Sequence, residues 1–417
     1  MSSDVLVSAT PKAAELTVSP FRLKPTSLLL TCLLLVVSSV AWRKGVYFSG
    51  GADIVVLTKA ALTGLALGLA WLMPRAPGTW SRFRAAPVLW LAAYLVISVI
   101  GGALSGDEVS STVLAVRLAL MAVALLLVTV SHPWQEVVSA MASAMLLLAV
   151  VAGVTGVSSL AETGRLYGGI PPINANEICL LVSVPVALLF WKCVYASARP
   201  YEYLALLPLL GIIWLTGART GLAALVLALL VMMVMAPRVP ALVAAGVVAA
   251  VPLVAFVAAF TPLVAQFAGR GDLAGVTTLN SRTVAWQAAL NYADTPAETL
   301  FGSGLALKQI PVTAMYRSQQ ILDSTWISAL IQVGYVGCAV LVLFVLVTLV
   351  QALKLPAAQR SLVFCLAAIV TAVGVLESGM FDTTPAFIVF FTASVMAHRV
   401  TTGASPAARD VASRVPG

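Results

Sequence analysis

Apolar runs of similar length follow one another along most of this chain, separated by a few polar, glycine or proline residues. A helix needs about 20 residues to cross roughly 30 Å of bilayer hydrocarbon. Windows near that length recur at 26-42, 53-73, 86-104, 113-131, 136-157, 177-195, 202-216, 220-236, 239-260, 325-350, 361-377 and 385-398. The pattern predicts an all-α polytopic membrane protein of about 12 transmembrane helices. An even number of crossings returns both termini to the same side. One polar stretch breaks the series, so the expected organisation is a head (1-25), helices 1-9 (26-260), a long loop (261-324), helices 10-12 (325-398) and a tail (399-417). Head and tail, rich in Ser, Ala, Pro and Thr, read as disordered.

Composition supports this reading. The chain is 61% hydrophobic and 10% charged, with mean hydropathy +1.02, and a water-soluble fold of that make-up would expose large apolar patches. A net charge of +8 raises nucleic acid as a partner, but no basic stripe with interleaved aromatics occurs. The basic residues instead gather in alternate short loops, at Arg75, Arg82, Arg84, Lys192, Arg199, Arg238, Lys354 and Arg360. Most acids, including Asp107, Glu108, Glu162, Asp294, Glu298, Glu377 and Asp382, fall in the other set. Positive loops mark the cytoplasmic face, which puts both termini inside and the long loop, between helices 9 and 10, outside.

The first apolar run has basic residues before it and Ser39-Val40-Ala41 near its end, as a cleavable signal does. Trp42, Arg43 and Lys44 follow at once, and the parity of the spans also favours a retained helix. Cys32, Cys179, Cys193, Cys338 and Cys365 lie in apolar segments without metal-ligand or redox spacing and read as packing residues. Neither metal nor cofactor is expected. No fixed-period repeat and no matched pair of broken helices is evident, which weighs against an inverted-repeat transporter.

Charge is costly in such a chain unless it serves a site. In ETGRLYGGIPPINANEICLL, Arg165 precedes a stiff glycine-proline turn, and Asn174, Asn176 and Glu177 open a helix whose N-terminus suits anions; the alternative is a capped turn with Arg165 in solvent. Arg219, in LTGARTGLAAL, sits in a tight hairpin among small and hydroxyl residues. It suits either a bidentate grip on phosphate or contact with lipid head groups. In the loop, SRTVAWQAALN reads as an amphipathic helix from about Ser281 to Asn291, with Arg282 and Trp286 sharing a face. That pair reads as a cation-π contact, or as Arg282 on a phosphate and Trp286 on a sugar. Asp323 at the mouth of the tenth span is a helix cap or an acid-base group. Lys59 and Arg117 lie within spans two and four, and intramembrane cations are functional candidates by default, though each is able to snorkel.

Taken in order, RLYGGIPPINANE, TGARTGLAAL, SRTVAWQAAL followed by FGSG, and DSTWISALIQVGYVG resemble the bacterial O-antigen ligase and polysaccharide polymerase superfamily of membrane glycosyltransferases, over most of the chain from Arg165 onward. The resemblance implies a class C type membrane fold of the inner membrane and metal-independent transfer, on the periplasmic side, of a glycan from a polyprenyl diphosphate donor to a glycan or glycolipid acceptor. It implies that Arg165, Arg219 and Arg282 hold the diphosphate. Asp323 is then the candidate base, Lys59 and Arg117 assist from the membrane side, and Asn176, Glu177, Trp286 and Tyr316 are candidates for sugar contact. Membrane lipid and a chain-length regulator protein are the further partners it suggests.

One departure is informative. Ligases resembling this chain carry a histidine where Asp323 stands, then a small or amide residue and, eleven positions on, a glycine; here Ser324 and Gly334 keep the rest of the pattern. A carboxylate can still accept a proton from an acceptor hydroxyl. The expected activity is therefore polymerisation of lipid-linked oligosaccharide repeat units into O-antigen or exopolysaccharide. The rivals are an O-antigen ligase acting on lipid A core and a lipid-linked sugar transporter or flippase.

Overall fold

The computed structural model describes residues 26–43, 53–75, 84–195, 198–241, 243–246, 286–311 and 319–399. The apolar runs fold as α1 (Thr26–Ser39), α2 (Ile54–Leu72), α3 (Ala86–Ser105), α4 (Glu108–Ser131) and α5 (Trp134–Thr155). A short α6 (Ser159–Thr163) leads to α7 (Ala175–Tyr195), α8 (Pro200–Thr216) and α9 (Arg219–Met235). After α10 (Pro296–Phe301) and strands β1 (Gln309–Pro311) and β2 (Gln319–Ile321) come α11 (Thr325–Ala352), α12 (Ala357–Leu376) and α13 (Pro385–Ala397).

Seven of these helices, α2 to α5, α7, α11 and α12, are long and apolar enough to cross a membrane, and α1, α8, α9 and α13 are shorter apolar helices. Together they make a mostly helical, multi-pass architecture. Helix α4 begins at Glu108, earlier than its apolar window, because Asp107 and Glu108 favour a helix N-terminus, where backbone amides point outward, although they depress local hydropathy. The window at 239-260 lies almost entirely outside the described residues.

Burial sorts the helices into a centre and a periphery. Every residue of α13 is buried, as befits an apolar helix at the centre of a bundle. Helix α2 is the opposite case. It buries only Thr63, Ala66 and Ala70, while Leu57, Leu65, Trp71 and Leu72 are 58–79% exposed. Water would penalise that surface; hydrocarbon does not.

The feature that shapes the end of the bundle carrying the site is a break in α11. At Gly334 the backbone turns to φ 63°, ψ −168°, releasing carbonyls from the helical ladder. The amides of Ser303 and Gly304 donate to the Ile331 and Gln332 carbonyls at 2.8 Å each, so the non-helical backbone stays satisfied away from water. A Cβ on Gly334 would collide with the Leu300 carbonyl, and one on Gly302 with the backbone at Gln332. Helix α10 brings this turn into place, with Thr295 and Glu298 forming a reciprocal cap at its start.

Beyond the turn, β1 and β2 pair antiparallel with Gln309 opposite Ile321. They cover a small core of Ala289, Ile310, Leu322 and Ile331. Strands of three residues carry too little alternation to be read from a sequence. Of the amphipathic helix expected at Ser281 to Asn291, residues 286–290 are described, and they are helical.

Candidate functional site

Connections from across the chain meet at one end of the bundle. The Leu166 amide donates to the Leu215 carbonyl at 2.8 Å, and the Thr325 amide to the Glu377 carbonyl at 3.1 Å. The Ser105 hydroxyl reaches the Ser303 carbonyl at 2.9 Å. Among these segments lies a cavity of about 370 Å³, lined by the end of α1, the first turns of α2, α7 and α13, Arg117 of α4, Lys308, and residues 377–384 after α12.

Four basic side chains (Arg43, Lys59, Arg117, Lys308) and four acidic ones (Asp53, Glu177, Glu377, Asp382) line this cavity. Their pairing decides which charges are available to a ligand. Arg43 meets Asp53 at 3.2 Å, and Asp53 also caps α2 by accepting the Val55 amide at 2.9 Å. Lys308 meets Asp382 at 2.6 Å. Lys59 and Arg117 form no ion pair among the described residues. Arg117 is 7% exposed, donates from Nη2 to the Ser38 carbonyl at 2.6 Å, and leaves its Nε without a hydrogen-bond partner. Two cations within membrane helices, facing a cavity and unneutralised by direct contact, are what an anion site requires.

Asn174, Asn176 and Glu177 occupy the cavity wall at the start of α7. The Asn174 side chain accepts the Asn176 amide at 3.2 Å, as the capping reading expects. The Asn176 Nδ2 donates to the Glu377 carboxylate, and its Oδ1 accepts from Arg165 Nη2 at 3.0 Å. Arg165 also donates through Nε to the Thr216 carbonyl at 2.8 Å and through Nη1 to the Tyr167 hydroxyl at 3.3 Å. Its guanidinium therefore ties the 165–176 turn to the hairpin that carries Arg219, the first residue of α9. Arg165 itself is not part of the cavity wall.

Of the other expected site residues, Arg282 and Tyr316 lie outside the described residues. Trp286 is half-buried at the start of the helical stretch 286–290. Asp323 stands one residue before Ser324, which holds the N-cap position of α11, and lines neither the main cavity nor the smaller one beside it. Charges counted in the sequence only as topology markers, Glu377 and Asp382, are in the wall instead. A usable signal was present: LESGMFDTTP packs two acids and three hydroxyls into one short connection between apolar spans.

Asp382 illustrates the balance of forces. Burial disfavours its ionised form, but the charge and hydrogen bond of Lys308, the Thr383 amide and the Arg117 charge outweigh it and hold the carboxyl below its usual 3.8. A depressed native pKa gives stabilisation that is complete above the unfolded value and lost as pH falls through the native one. The melting-temperature difference between the wild type and Asp382→Asn should therefore be constant from about pH 5 to about pH 8 and shrink only in stronger acid. A difference that changes steadily across the neutral range would mean that another group sets it.

Among the described residues, no cluster of His, Cys, Asp and Glu is arranged to hold a metal ion. No family model matches the chain, and no curated protein matches it significantly.

Proposed function

We propose that this chain is a membrane glycosyltransferase that moves a glycan from a polyprenyl diphosphate to an acceptor hydroxyl, polymerising lipid-linked repeat units into O-antigen or exopolysaccharide. Twelve spans, cytoplasmic termini and a periplasmic site in a bacterial inner membrane complete the proposal. The observation that supports it most is the cavity shared by Lys59 and Arg117, which form no ion pair among the described residues, and the carboxylates Glu377 and Asp382.

The chemistry asks for both charge types. The anomeric carbon leaves a diphosphate oxygen and joins the acceptor oxygen; the diphosphate departs with the bonding electrons, and the hydroxyl proton passes to a base. Guanidinium and ammonium groups already in place stabilise the departing charge without waiting for solvent to reorganise. Lys59 and Arg117 suit that role at the cavity; Arg219, which lines neither cavity, and Arg282, outside the described residues, remain the donors that the resemblance implies from the hairpin and the long loop. Arg165, committed to Thr216, Tyr167 and Asn176, holds the mouth in shape. Glu377 and Asp382 are better placed than Asp323 to receive the proton, because they face the same space as the cations. The aspartate at position 323, where similar ligases have histidine, favours polymerase over ligase.

Complementation tests the arginine assignment. Arg219→Ala and Arg282→Ala should each fail to restore polymer in a strain lacking the gene, at normal protein levels; restored polymer in both removes these residues from the donor site. The deletion strain should accumulate single repeat units on its carrier lipid. Long carrier-linked polymer there would move the assignment to ligase.

A further inference from the structure

A second cavity, about 190 Å³, adjoins the first and shares Lys308, Thr325, Ser378, Asp382 and Thr384 with it. The Lys308–Asp382 ion pair, at 2.6 Å, thus belongs to the wall between two chambers of different character. The larger holds the cations Lys59 and Arg117. The smaller contains neither and is lined instead by Tyr94, Phe381, Ser328 and Gln332.

We infer that the smaller chamber is a subsite for the terminal sugar of the acceptor, closed by the Lys308–Asp382 pair until an anion in the larger chamber draws Lys308 away. The inference rests on the transfer reaction proposed above and adds where the acceptor sits and what admits it. The lining fits one sugar ring. Tyr94 and Phe381, with ring centroids 5.0 Å apart, form the apolar part of the wall, each almost fully buried. Hydroxyl and amide groups answer the polar edge: Ser328 is almost fully buried there, and Gln332, whose Nε2 donates to the Leu307 carbonyl at 2.8 Å, keeps its amide oxygen as an acceptor. At about 190 Å³ the space is smaller than a usual ligand pocket, roughly 300 Å³ or more, and so suits one residue of a longer chain.

Lys308 is suited to act as the latch. It lies just before β1, outside the helices, and its ammonium ends a flexible four-carbon stem. A diphosphate beside Lys59 and Arg117 presents more charge than one carboxylate and would compete for the same ammonium. Once Lys308 turns to the phosphate, the partition opens and Asp382 loses its neutralising partner next to the sugar hydroxyl. Donor binding and acceptor access become coupled through one side chain.

The test uses the full-length protein in lipid nanodiscs. Titrated with inorganic diphosphate, Asp382→Asn should bind about tenfold more tightly than the wild type and Lys308→Met about tenfold more weakly; unchanged affinity in both variants overturns the latch. Ser328→Leu, and Ser328→Val should the larger side chain prevent folding, should leave diphosphate affinity unchanged. Transfer is then measured with lipid-linked saccharide extracted from the deletion strain as donor and the same saccharide, released by mild acid, as varied acceptor. There the Ser328 variants should raise KM for the acceptor about tenfold or more with little change for the donor. Wild-type transfer with an unaltered acceptor KM in the variants overturns the subsite alone. No transfer by the wild type overturns the proposed function, and this inference with it.

Discussion

Arg117→Met is expected to reduce glycan transfer by about 100-fold or more, the usual consequence of removing one preorganised donor from developing negative charge. The variant should still accumulate in the membrane. Arg117 is almost fully buried in α4 and held at one end by the Ser38 carbonyl, so its guanidinium is fixed before any substrate arrives. Methionine matches the side chain's length and apolar stem but carries neither charge nor donors. Loss of the Ser38 contact leaves one carbonyl unsatisfied, a penalty of about 1–3 kcal/mol, which separates folding from function in the readout. Transfer per mole of monodisperse protein should fall far more than the yield of that protein. Arg117→Lys should recover part of the activity, because it restores the charge without the fork. Near-normal transfer by Arg117→Met would leave the buried cation as a structural link between α1 and α4 and remove the main support for an anion site.

Gly334→Ala should be among the most damaging conservative changes at the described residues. The backbone at φ 63°, ψ −168°, a region essentially reserved for glycine, alone costs a residue with a Cβ about 1–3 kcal/mol. The added carbon would also strike the Leu300 carbonyl, and relief of that clash pulls the 301–304 turn away from the Ile331 and Gln332 carbonyls. Each hydrogen bond lost there adds about 1 kcal/mol, so a total of roughly 3 kcal/mol or more is expected. A fall in melting temperature and in the yield of monodisperse protein would register it. Gly64→Ala is the natural comparison, since nothing lies near a Cβ at that position, and it should be close to neutral. Equal stability of the two variants would mean that the break in α11 is incidental.

Much of the helical layout was legible because bilayer chemistry is simple: the apolar windows within the described residues became helices with small shifts at their ends. The sequence also pointed to Lys59 and Arg117, anomalous within apolar spans, and to Asn176 and Glu177 at the opening of a helix, and all four line the cavity. It was silent on which charges face one another. Lys308 and Asp382 are 74 residues apart in the chain and belong to different connections; nothing local to either announces the other. Arg165 shows the converse. Its isolation suggested a ligand contact, yet its donors go to Thr216, Tyr167 and Asn176, because a turn full of glycine and proline leaves carbonyls and side chains that need a partner. Asp323 stood out by its match to a motif position, and motif position carries no information about where a cavity wall will run.

The main cavity has two supports of unlike kind. Residues 384–386 reach it from the end of α13, which protein surrounds on every side, whereas Lys59 reaches it from α2, most of whose flank is bare in the described structure. One jaw is set in the protein frame and the other on a helix with an exposed apolar flank. In a bilayer that flank would face lipid, so the width of the gap would answer to the membrane as well as to the protein.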